Sequence, residues 1–457
     1  MKKNKNFSIK LRTISIKNYK GIDSFSMDFP TPTLFEDPDI LVMGSENGLG
    51  KTSIIECCAL LLMCLSVREN RFKLRDKYLS IDVPDLLIRA GTNAAEITGH
   101  IVIDDKTVQI EMRIDRSGVV KISSDSPHLE LFDDVFIDAD SDVDELIKAI
   151  CGFSPNPVIE NSFLLFHSYR KVQEGNPELG MMVRDSRTIR RMPPYRRMEM
   201  PLSEFKLLIL RSLMNKADLF EFAEEKEPEE TIDKLNELVK FYAGGTISKL
   251  RPSAENTVDF RITPVDGGES VTFDGLSSGQ KEIISTLFLI WYHTKNNPSV
   301  VFIDEPELHL NAQWHRSFVK KLIKLAPKNQ YIVATHSEDI MDSVAEDRRI
   351  LLLNEKRTVM ISVKKSIRSE EVRFHSQYVL FVEGKDNNSV DPNVLNELFD
   401  NGLRIEPLGA SFSVKSVAEA LYPHHPSYYF LIDRDHQDDA FIQKCWDNFP
   451  DPDTHNL

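Results

Sequence analysis

The chain has little cysteine and lacks a long run of apolar residues. Its 5 cysteines form no CxxC pair and no metal-ligand spacing, which excludes a disulfide framework and the usual cysteine zinc site. The longest apolar run, residues 54–67, contains Glu56 and is shorter than the ~20 residues that a membrane-spanning helix needs. The basic N-terminus lacks the apolar region of a signal peptide. We therefore expect a reduced, cytoplasmic protein with no membrane partner.

An excess of positive charge is also missing. The 457 residues include 56 Lys and Arg against 71 Asp and Glu, which gives a net charge of −15. This balance repels nucleic acid over most of the surface, so a nucleic-acid site has to be a local patch. Hydrophobic residues at 41% and charged residues at 28% exclude wholesale disorder. The length predicts about two to four domains.

The first half of the chain reads as strands and helices in irregular alternation. A strand, a glycine-rich turn and an apolar helix over 52–67 come first, and 97–137 is typical of β-hairpins. Helical spacing recurs over 141–152 and 203–222, and in a helix that ends at Gly244 and has Thr231 as its predicted N-cap.

From Ser277 onward the pattern becomes regular. Helices alternate with the nearly all-apolar strands VVFI, YIVA and ILLL, which predicts a parallel sheet covered on both faces. A second α/β pattern begins with YVLFVEG, after a polar stretch. We place a domain boundary near residue 365.

A glycine-rich segment joins the strand ILVMGS to the apolar helix. Glycines let backbone N–H groups approach phosphate oxygens, and the helix N-terminus adds partial positive charge. Lys51 would contact the β- and γ-phosphates of a nucleotide, and Thr52 would hold Mg²⁺. Ser45 replaces the first glycine of the strict pattern, which is tolerated only if its φ is not positive. The predicted nucleotide-binding residues are Asn47, Gly48, Gly50, Lys51, Thr52 and Ser53, and a chance glycine-rich turn is the alternative.

Three more segments carry polar residues at strand or helix ends. Asp304 and Glu305 follow the strand VVFI, where Asp304 would reach Mg²⁺ and Glu305 would polarise the attacking water. His336 follows the strand YIVAT, although a lone histidine there is usually structural. A long helix opens with N–H groups and hydroxyls suited to an anion. Its predicted binding residues are Ser277, Ser278, Gly279 and Gln280.

In this order the segments resemble the ATP-binding-cassette (ABC) ATPase superfamily, and specifically the SMC-like branch that includes the OLD (overcoming lysogenisation defect) proteins. SENGLGKTS is similar to the GxNGxGK[ST] loop, LSSGQ to the LSGGQ signature and ATHS to the switch-histidine loop. IDEPELHLNAQ resembles the DEPExHLHP segment, from which Asn311 and Ala312 depart. The resemblance covers roughly residues 10–355.

The resemblance implies an α/β fold: an ABC-type ATPase head over 1–365, with an inserted and mainly helical lobe at about 140–265. It also implies ATP and Mg²⁺ as ligands, with Asp304, Glu305 and His336 as catalytic residues. Ser277 and Gly279 would cap the γ-phosphate of a second subunit, in a homodimer or a larger even-numbered oligomer. The glutamine loop of the superfamily falls most readily in NSFLLFHSYRKVQ.

An arginine-rich segment lies inside the predicted insertion. Arginine forks suit phosphate groups, so the segment is a candidate site for DNA or RNA. A solvated loop is an equally good interpretation. The candidate contacts are Arg187, Arg190, Arg191, Arg196 and Arg197.

Acidic residues also end two strands of the last segment, 366–457. Glu383 follows YVLFV, and Asp433 and Asp435 follow YYFLI. This pattern resembles the TOPRIM domain, which implies that the three carboxylates hold Mg²⁺ for phosphodiester cleavage. Acidic surface turns are the alternative. Few residues follow Asp435, so we expect an incomplete TOPRIM-like domain, one completed by another polypeptide, or one that does not cut.

Two functions from different classes follow from these observations. The first is an ATPase of the OLD-like branch that couples ATP-driven dimerisation to a DNA nuclease, as in bacterial antiphage defence. The second is a regulatory or scaffold ATPase that controls a separate effector or nuclease subunit. A DNA-repair ATPase is a third interpretation, in which the acidic C-terminal pattern has no use.

The arginine-rich segment gives a first prediction. Neutralising Arg190 and Arg191 should weaken the binding of DNA or RNA and flatten its salt dependence, by about one unit of log–log slope for each phosphate that is no longer neutralised. Fluorescence anisotropy titrations at several salt concentrations measure both quantities. An unchanged binding isotherm would remove this segment from consideration.

Overall fold

A computed structural model gives the fold in two units, residues 1–366 and 367–457. The structure describes residues 7–32, 37–45, 48–67, 70–74, 82–124, 143–172, 174–175, 177, 203–216, 229–252, 257–354, 361–365, 379–383, 404–407, 414 and 428–431. In that part of the chain, no helix has the length and apolar character needed to cross a membrane.

The first unit contains a central sheet whose inner strands are parallel. Its order is β16-β15-β3-β14-β13-β9-β8. The inner strands are parallel neighbours, as the sequence predicts, whereas β16 and β8 pair antiparallel at the two edges. β3, β13 and β14 are buried at every position, which explains their continuous apolar sequences. The strands are β3 Asp39–Gly44, β8 Val158–Ile159, β9 Phe163–Phe166, β13 Val300–Asp304, β14 Gln330–Thr335, β15 Arg349–Asn354 and β16 Ile361–Lys365.

Helices connect the parallel strands of this sheet. One helix follows β3, one precedes β13, one joins β13 to β14 and a short one follows β14. The same order was predicted from Ser277 onward, and that prediction is confirmed. The helices are α1 Lys51–Met63, α6 Ser278–Thr294, α7 Ala312–Leu325 and α8 Glu338–Met341.

A second sheet of the first unit is antiparallel, in the order β2-β1-β5-β6-β7-β4. Buried and less buried residues alternate along β5 and β6, as in a sheet with one face on the core. The hairpins predicted over 97–137 are present as β5 to β7, and residues 125–137 lie outside the described part. The strands are β1 Ile9–Tyr19, β2 Ile22–Asp28, β4 Arg71–Lys73, β5 Ala94–Ile103, β6 Lys106–Asp115 and β7 Val119–Ser124.

Helix α1 lies between the two sheets. It contacts β1 and β5 of the antiparallel sheet and β9, β13 and β14 of the central sheet. Except at Thr52 and Ser53, every residue from Lys51 to Met63 is buried, because the helix packs on more than one side. Its apolar sequence therefore reflects two-sided burial in the core of the head.

A buried carboxylate fixes α1 to the hairpin of β1 and β2. Glu56 accepts hydrogen bonds from the Tyr19 hydroxyl at 3.0 Å and from Lys20 Nζ at 2.7 Å. Burial raises the pKa of Glu56, and the Lys20 ammonium opposes that shift. The contact ties the helix that begins at Lys51 to the edge of the antiparallel sheet.

The remaining elements of the first unit include helices and a small sheet in the order β10-β11-β12. The predicted N-cap at Thr231 is wrong, because the helix begins at Glu229 and Thr231 is a buried residue within its first turn. Thr231 is 0% exposed, so burial of its side chain accompanies the longer helix. The elements are α2 Val83–Leu87, α3 Val143–Ile150, α4 Glu204–Lys216, α5 Glu229–Ala243, β10 Gly245–Pro252, β11 Val258–Pro264 and β12 Val271–Thr272, with 3-10 turns at Cys64–Ser66, Phe273–Gly275, Pro306–His309 and Glu346–Arg348.

The region expected to form an inserted lobe, 140–265, is divided in the structure. β9 pairs with β13 from Phe163 to Phe166, so this stretch is a strand of the head sheet and not part of an insertion. The prediction of an inserted, mainly helical lobe at about 140–265 is therefore wrong for β9, and it stays a prediction for the rest of the region. The sequence could not distinguish the two cases, because an apolar run such as FLLF fits both a strand of the central sheet and the core of an insertion.

The second unit contains a parallel sheet in the order β18-β17-β19. Leu380 and Val382 are buried there, and the rings of Phe381 and Phe430 stack at a centroid distance of 5.3 Å. The strands are β17 Val379–Val382, β18 Arg404–Pro407 and β19 Tyr428–Leu431.

The contact of α1 with the antiparallel sheet gives a stability prediction. A Cβ atom at Gly99 of β5 would lie 2.5 Å from Leu61 Cδ2 and 2.5 Å from the Thr13 carbonyl oxygen. The substitution Gly99→Ala should therefore lower the free energy of unfolding by about 1–3 kcal/mol through overpacking. Urea denaturation measures the change.

Gly21→Ala is the matched control, because a Cβ atom at Gly21 meets nothing within 4 Å. Its effect should stay within about 0.5 kcal/mol. Equal unfolding midpoints for the two variants would contradict the close packing of α1 on β5.

Candidate active site at the carboxyl edge of the central sheet

Three neighbouring parallel strands end together at one edge of the central sheet. Asp304 of β13 pairs with Ala334 of β14, and Thr335 of β14 pairs with Gly44 of β3. The residues that follow these strands therefore lie at the same edge, which is where ligands bind in open α/β sheets. The predicted loop, acidic pair and histidine meet there, although they are far apart in the sequence.

The glycine-rich loop enters α1 through left-handed backbone conformations. Gly48 has a φ of 82° and Gly50 a φ of 86°, which L-residues with side chains rarely adopt. α1 begins at Lys51, directly after Gly50, so the unpaired N–H groups of its first turn follow the loop. Ser45 is not among the residues with positive φ, as its substitution for glycine requires. Asn47 lies outside the described residues.

Lys51 is buried in this edge and surrounded by acceptors. Its Nζ donates to the Ser45 hydroxyl at 2.8 Å and lies 2.8 Å from His336 Nε2. Burial lowers the pKa of Lys51, and the nearby carboxylates of Glu305 and Asp304 oppose that shift. The ammonium group is therefore held at the sheet edge by groups from β3, β13 and β14.

Thr52 and Asp304 form the second contact of the site. The Thr52 hydroxyl donates to Asp304 Oδ2 at 2.9 Å, while the buried Oδ1 atom has no hydrogen-bond partner among the described residues. Burial raises the pKa of Asp304 to about 7, which shows how poorly this position tolerates an unbalanced negative charge. An unpaired carboxylate oxygen beside a hydroxyl is a suitable pair of ligands for Mg²⁺, which prefers oxygen.

No cluster of three or more His, Cys, Asp or Glu side chains that could hold a metal occurs among the described residues. The Thr52–Asp304 pair would thus hold Mg²⁺ only together with further oxygens, such as those of phosphate groups and water. The ion would neutralise charge that develops on the phosphate oxygens during transfer.

Glu305 adopts an uncommon backbone conformation, with φ 45° and ψ 60°. Such values in a non-glycine residue are maintained by the surrounding structure, and they cluster at functional sites. Glu305 Oε1 lies 3.3 Å from His336 Nε2. Contacts therefore join Lys51 to His336, His336 to Glu305, and Thr52 to Asp304, and we call these five residues the Lys51 cluster.

Arg170 is a residue of the site that the sequence interpretation missed. Its Nη1 atom donates to the backbone carbonyl of Asp304 at 2.9 Å, and its Nε atom lies 3.8 Å from Glu282 Oε2. Glu282 of α6 also accepts from the Val172 N–H at 2.5 Å. The signal available in the sequence was an arginine just after the apolar strand FLLF. In the structure, Arg170 links the end of β13 to α6. Gln173, the glutamine in the segment where the glutamine loop is expected, lies outside the described residues.

The segment Ser277–Gln280 caps α6 and does not join the Lys51 cluster. The Ser277 hydroxyl accepts from the Gln280 N–H, and Gln280 Oε1 accepts from the Ser277 N–H at 3.1 Å, which makes a capping box. Gln280 Nε2 donates to the Tyr242 carbonyl at 2.9 Å. Ser277 and Ser278 are exposed, while Gly279 is partly buried. No hydrogen bond between described residues connects the segment to the Lys51 cluster.

In the second unit, Glu383 lies directly after β17. Its N–H donates to the Leu431 carbonyl at 3.0 Å, so it stands beside the carboxyl end of β19. The other predicted ligands of this unit and the arginine-rich segment fall outside the described residues: Asp433, Asp435, Arg187, Arg190, Arg191, Arg196 and Arg197.

Solved structures with a similar fold include heads of SMC proteins. An Smc head bound to the C-winged helix domain of ScpA is 17% identical with a TM-score of 0.46, over 78% of this chain and 96% of that chain. The Smc head with a coiled coil and joint from Pyrococcus yayanosii is 12% identical with a TM-score of 0.45, over 80% of this chain and 98% of that chain.

Among curated proteins, the "Retron Vc95 probable ATPase" of Vibrio cholerae serotype O1 biovar El Tor is 30% identical over 104 residues. The match covers 21% of this chain and 20% of that protein, so it spans only about a fifth of the relative's length. Residues 46–342, which include the whole Lys51 cluster, match the family described as "AAA domain, putative AbiEii toxin, Type IV TA system". Because this match covers more than half of the chain, the protein belongs to that family of AAA-type ATPase domains.

Proposed function

We propose that this protein binds and hydrolyses ATP at the Lys51 cluster. The observation that carries the proposal is that three separate parts of the chain meet at one sheet edge, where Lys51 contacts His336, His336 contacts Glu305 and Thr52 contacts Asp304. Phosphoryl transfer needs little covalent chemistry from a protein and depends on positioning and electrostatic stabilisation. The cluster offers a cation, a pair of oxygen ligands and a carboxylate at one sheet edge.

Each residue of the cluster has a distinct task in this proposal. Lys51 and the N–H groups at the start of α1 bind the phosphates, and Thr52 with Asp304 holds Mg²⁺. Glu305 accepts a proton from the attacking water or orients that water. His336, whose Nε2 atom lies 3.3 Å from Glu305 Oε1, contacts the γ-phosphate end of the bound ATP.

Turnover measurements test the assignment of Glu305. Glu305→Gln keeps the size of the side chain but removes the negative charge, so ATP should still bind while phosphate release falls by about 100-fold or more. Lys51→Ala should lose ATP binding, because the cation that contacts the phosphates is gone. Phosphate release and binding of a fluorescent ATP analogue are the two readouts.

Two substitutions at exposed positions serve as matched controls for charge loss: Glu346→Gln and Lys121→Ala. Both should retain wild-type binding and turnover. Wild-type turnover in Glu305→Gln would overturn the role of Glu305, and a wild-type protein that hydrolyses no ATP would overturn the proposal as a whole.

We further propose that ATP joins two subunits, with Ser277 and Gly279 of one subunit acting on the nucleotide of the other. Support comes from the exposure of Ser277 and Ser278 at the start of α6, because the N-terminus of a helix favours an anion. The resemblance to the ABC superfamily supports the same arrangement. The Glu305→Gln variant, which should retain ATP, is the form in which to measure mass by light scattering.

The activity that ATP hydrolysis would control depends on the second unit. We propose coupling of the ATPase to a TOPRIM-type DNA nuclease in antiphage defence, as in the OLD proteins that the sequence resembles. The position of Glu383 at the carboxyl end of adjacent parallel strands supports it. The alternative is a regulatory ATPase that controls a separate effector, and a relative described as a probable ATPase is compatible with it.

Cleavage of supercoiled plasmid with Mg²⁺ and ATP separates these two candidates. If the nuclease is active, wild-type protein should cut and Glu383→Ala should not, because a carboxylate ligand is removed. If neither protein cuts while ATP is hydrolysed at the wild-type rate, the regulatory ATPase is supported and the nuclease is excluded for this chain.

A further inference from the structure

A second glutamate, two residues after Glu305, connects two loops of the active-site edge. β13 ends at Asp304, and the chain then turns through Glu305 and the 3-10 turn Pro306–His309. Proline fixes its own φ, and the Leu310 N–H donates to the Glu307 carbonyl at 3.1 Å. The turn is therefore short and constrained, and it directs Glu307 towards the loop that follows the neighbouring strand β14.

The Glu307 carboxylate accepts two hydrogen bonds, one from the last residue of β14 and one from the residue that follows it. Oε2 accepts from the Thr335 hydroxyl at 2.8 Å, and Oε1 accepts from the backbone N–H of His336. A carboxylate that accepts from a backbone N–H forms a charge-assisted bond, which is about twice as strong as a neutral one. Glu307 thus holds the main chain of the residue whose side chain reaches Glu305 and Lys51.

Thr335 extends this contact into the rest of the loop. Its hydroxyl donates to Glu307 and accepts from the Ser337 N–H at 2.9 Å. Ser337 in turn has its hydroxyl 2.9 Å from His315 Nδ1 of α7. The backbone on both sides of His336 is therefore fixed through one carboxylate and one threonine hydroxyl.

We propose that Glu307 is a positioning residue for His336. By binding the N–H of His336 and the hydroxyl of Thr335, it fixes the loop so that the imidazole lies 2.8 Å from Lys51 Nζ and 3.3 Å from Glu305 Oε1. Among the described residues, Glu307 forms no hydrogen bond with Lys51, Thr52, Asp304 or Glu305; its bonds go to Thr335 and His336. The inference rests on the proposed ATP hydrolysis and names the residue that sets its geometry.

The substitutions that test this role differ in how many of the two hydrogen bonds they remove. Alanine leaves both donors without an acceptor and lets the loop relax. Glutamine retains one carbonyl oxygen, so one of the two bonds survives and its NH₂ group faces the other donor. Thr335→Val removes one donor without changing the shape of the side chain. The expected order of turnover is wild type, then Glu307→Gln and Thr335→Val, then Glu307→Ala.

Steady-state kinetics on the full chain measure this effect. Glu307→Ala should lower kcat by about 10–100-fold, because small misplacements of catalytic groups have effects of that size. The KM for ATP should change less than about twofold, since the phosphate loop and Lys51 are intact. Glu346→Ala, which removes an exposed glutamate, is the control and should match wild type.

A double-mutant cycle with His336→Ala separates positioning from a general structural defect. If Glu307 acts through His336, adding Glu307→Ala to His336→Ala should change kcat by less than about twofold. Equal reductions in both backgrounds would overturn the proposal, and so would wild-type turnover in Glu307→Ala or in His336→Ala. If Glu307→Ala does not fold, the same cycle with Thr335→Val gives the answer.

The outcomes also distinguish this inference from the proposed function. A wild-type chain without ATP hydrolysis contradicts the proposed function, and the role of Glu307 falls with it. Normal wild-type hydrolysis together with an unaffected Glu307→Ala variant contradicts only the role of Glu307.

Discussion

The burial of charge at the ends of apolar strands is the constraint on which the site depends. Strands that are buried on both faces bring their last residues out at one edge, where Asp304 is 1% exposed and Lys51 is 5% exposed. An isolated ion at such a depth is costly, so each charged group requires a partner from another strand or helix. The cluster is therefore a mutual arrangement: Glu305 and Asp304 raise the pKa of Lys51 against the effect of burial, and the Arg170 guanidinium lowers the pKa of Asp304 in the same way.

The surroundings of this edge follow from the same constraint. Arg170 supplies a second buried positive charge and binds the carbonyl of Asp304, while Glu282 of α6 balances that arginine. Tyr19 and Lys20 satisfy Glu56 one turn into α1. These contacts connect α6 to the end of β13 and the β1–β2 hairpin to α1, so the hydrogen bonds that offset the cost of burial also fix the elements that carry the site.

Much of the head was predictable from the sequence because its signals are local. Apolar runs in the sequence indicate β3, β13 and β14, and the glycines before Lys51 indicate the turn into α1, where the structure gives them a positive φ. Because these strands are parallel neighbours, Lys51, Asp304 and His336 meet at one edge of the sheet. The AAA-type ATPase domain was predicted as an ABC-type head and is confirmed at that coarser level. The OLD and TOPRIM assignments stay proposals.

The errors have a different origin. Thr231 resembles an N-cap, but residues before it extend the helix, because tertiary burial outweighs a local capping preference. Strand β9 was assigned to an insertion, since nothing in FLLF states which distant strand it pairs with. Arg170 and Glu307 were missed because their partners, Asp304 and His336, are identified only by distances in space.

Helix α1 makes the antiparallel sheet and the central sheet parts of one folding unit. Because its two sides pack on different sheets, removing the antiparallel sheet would expose a row of leucine, isoleucine and cysteine side chains to water. The nucleotide loop therefore cannot be separated from the strands between Ile9 and Ser124. A gene fragment that begins after those strands would carry the acidic pair and the histidine, but it would encode an aggregation-prone half of a domain with no phosphate loop.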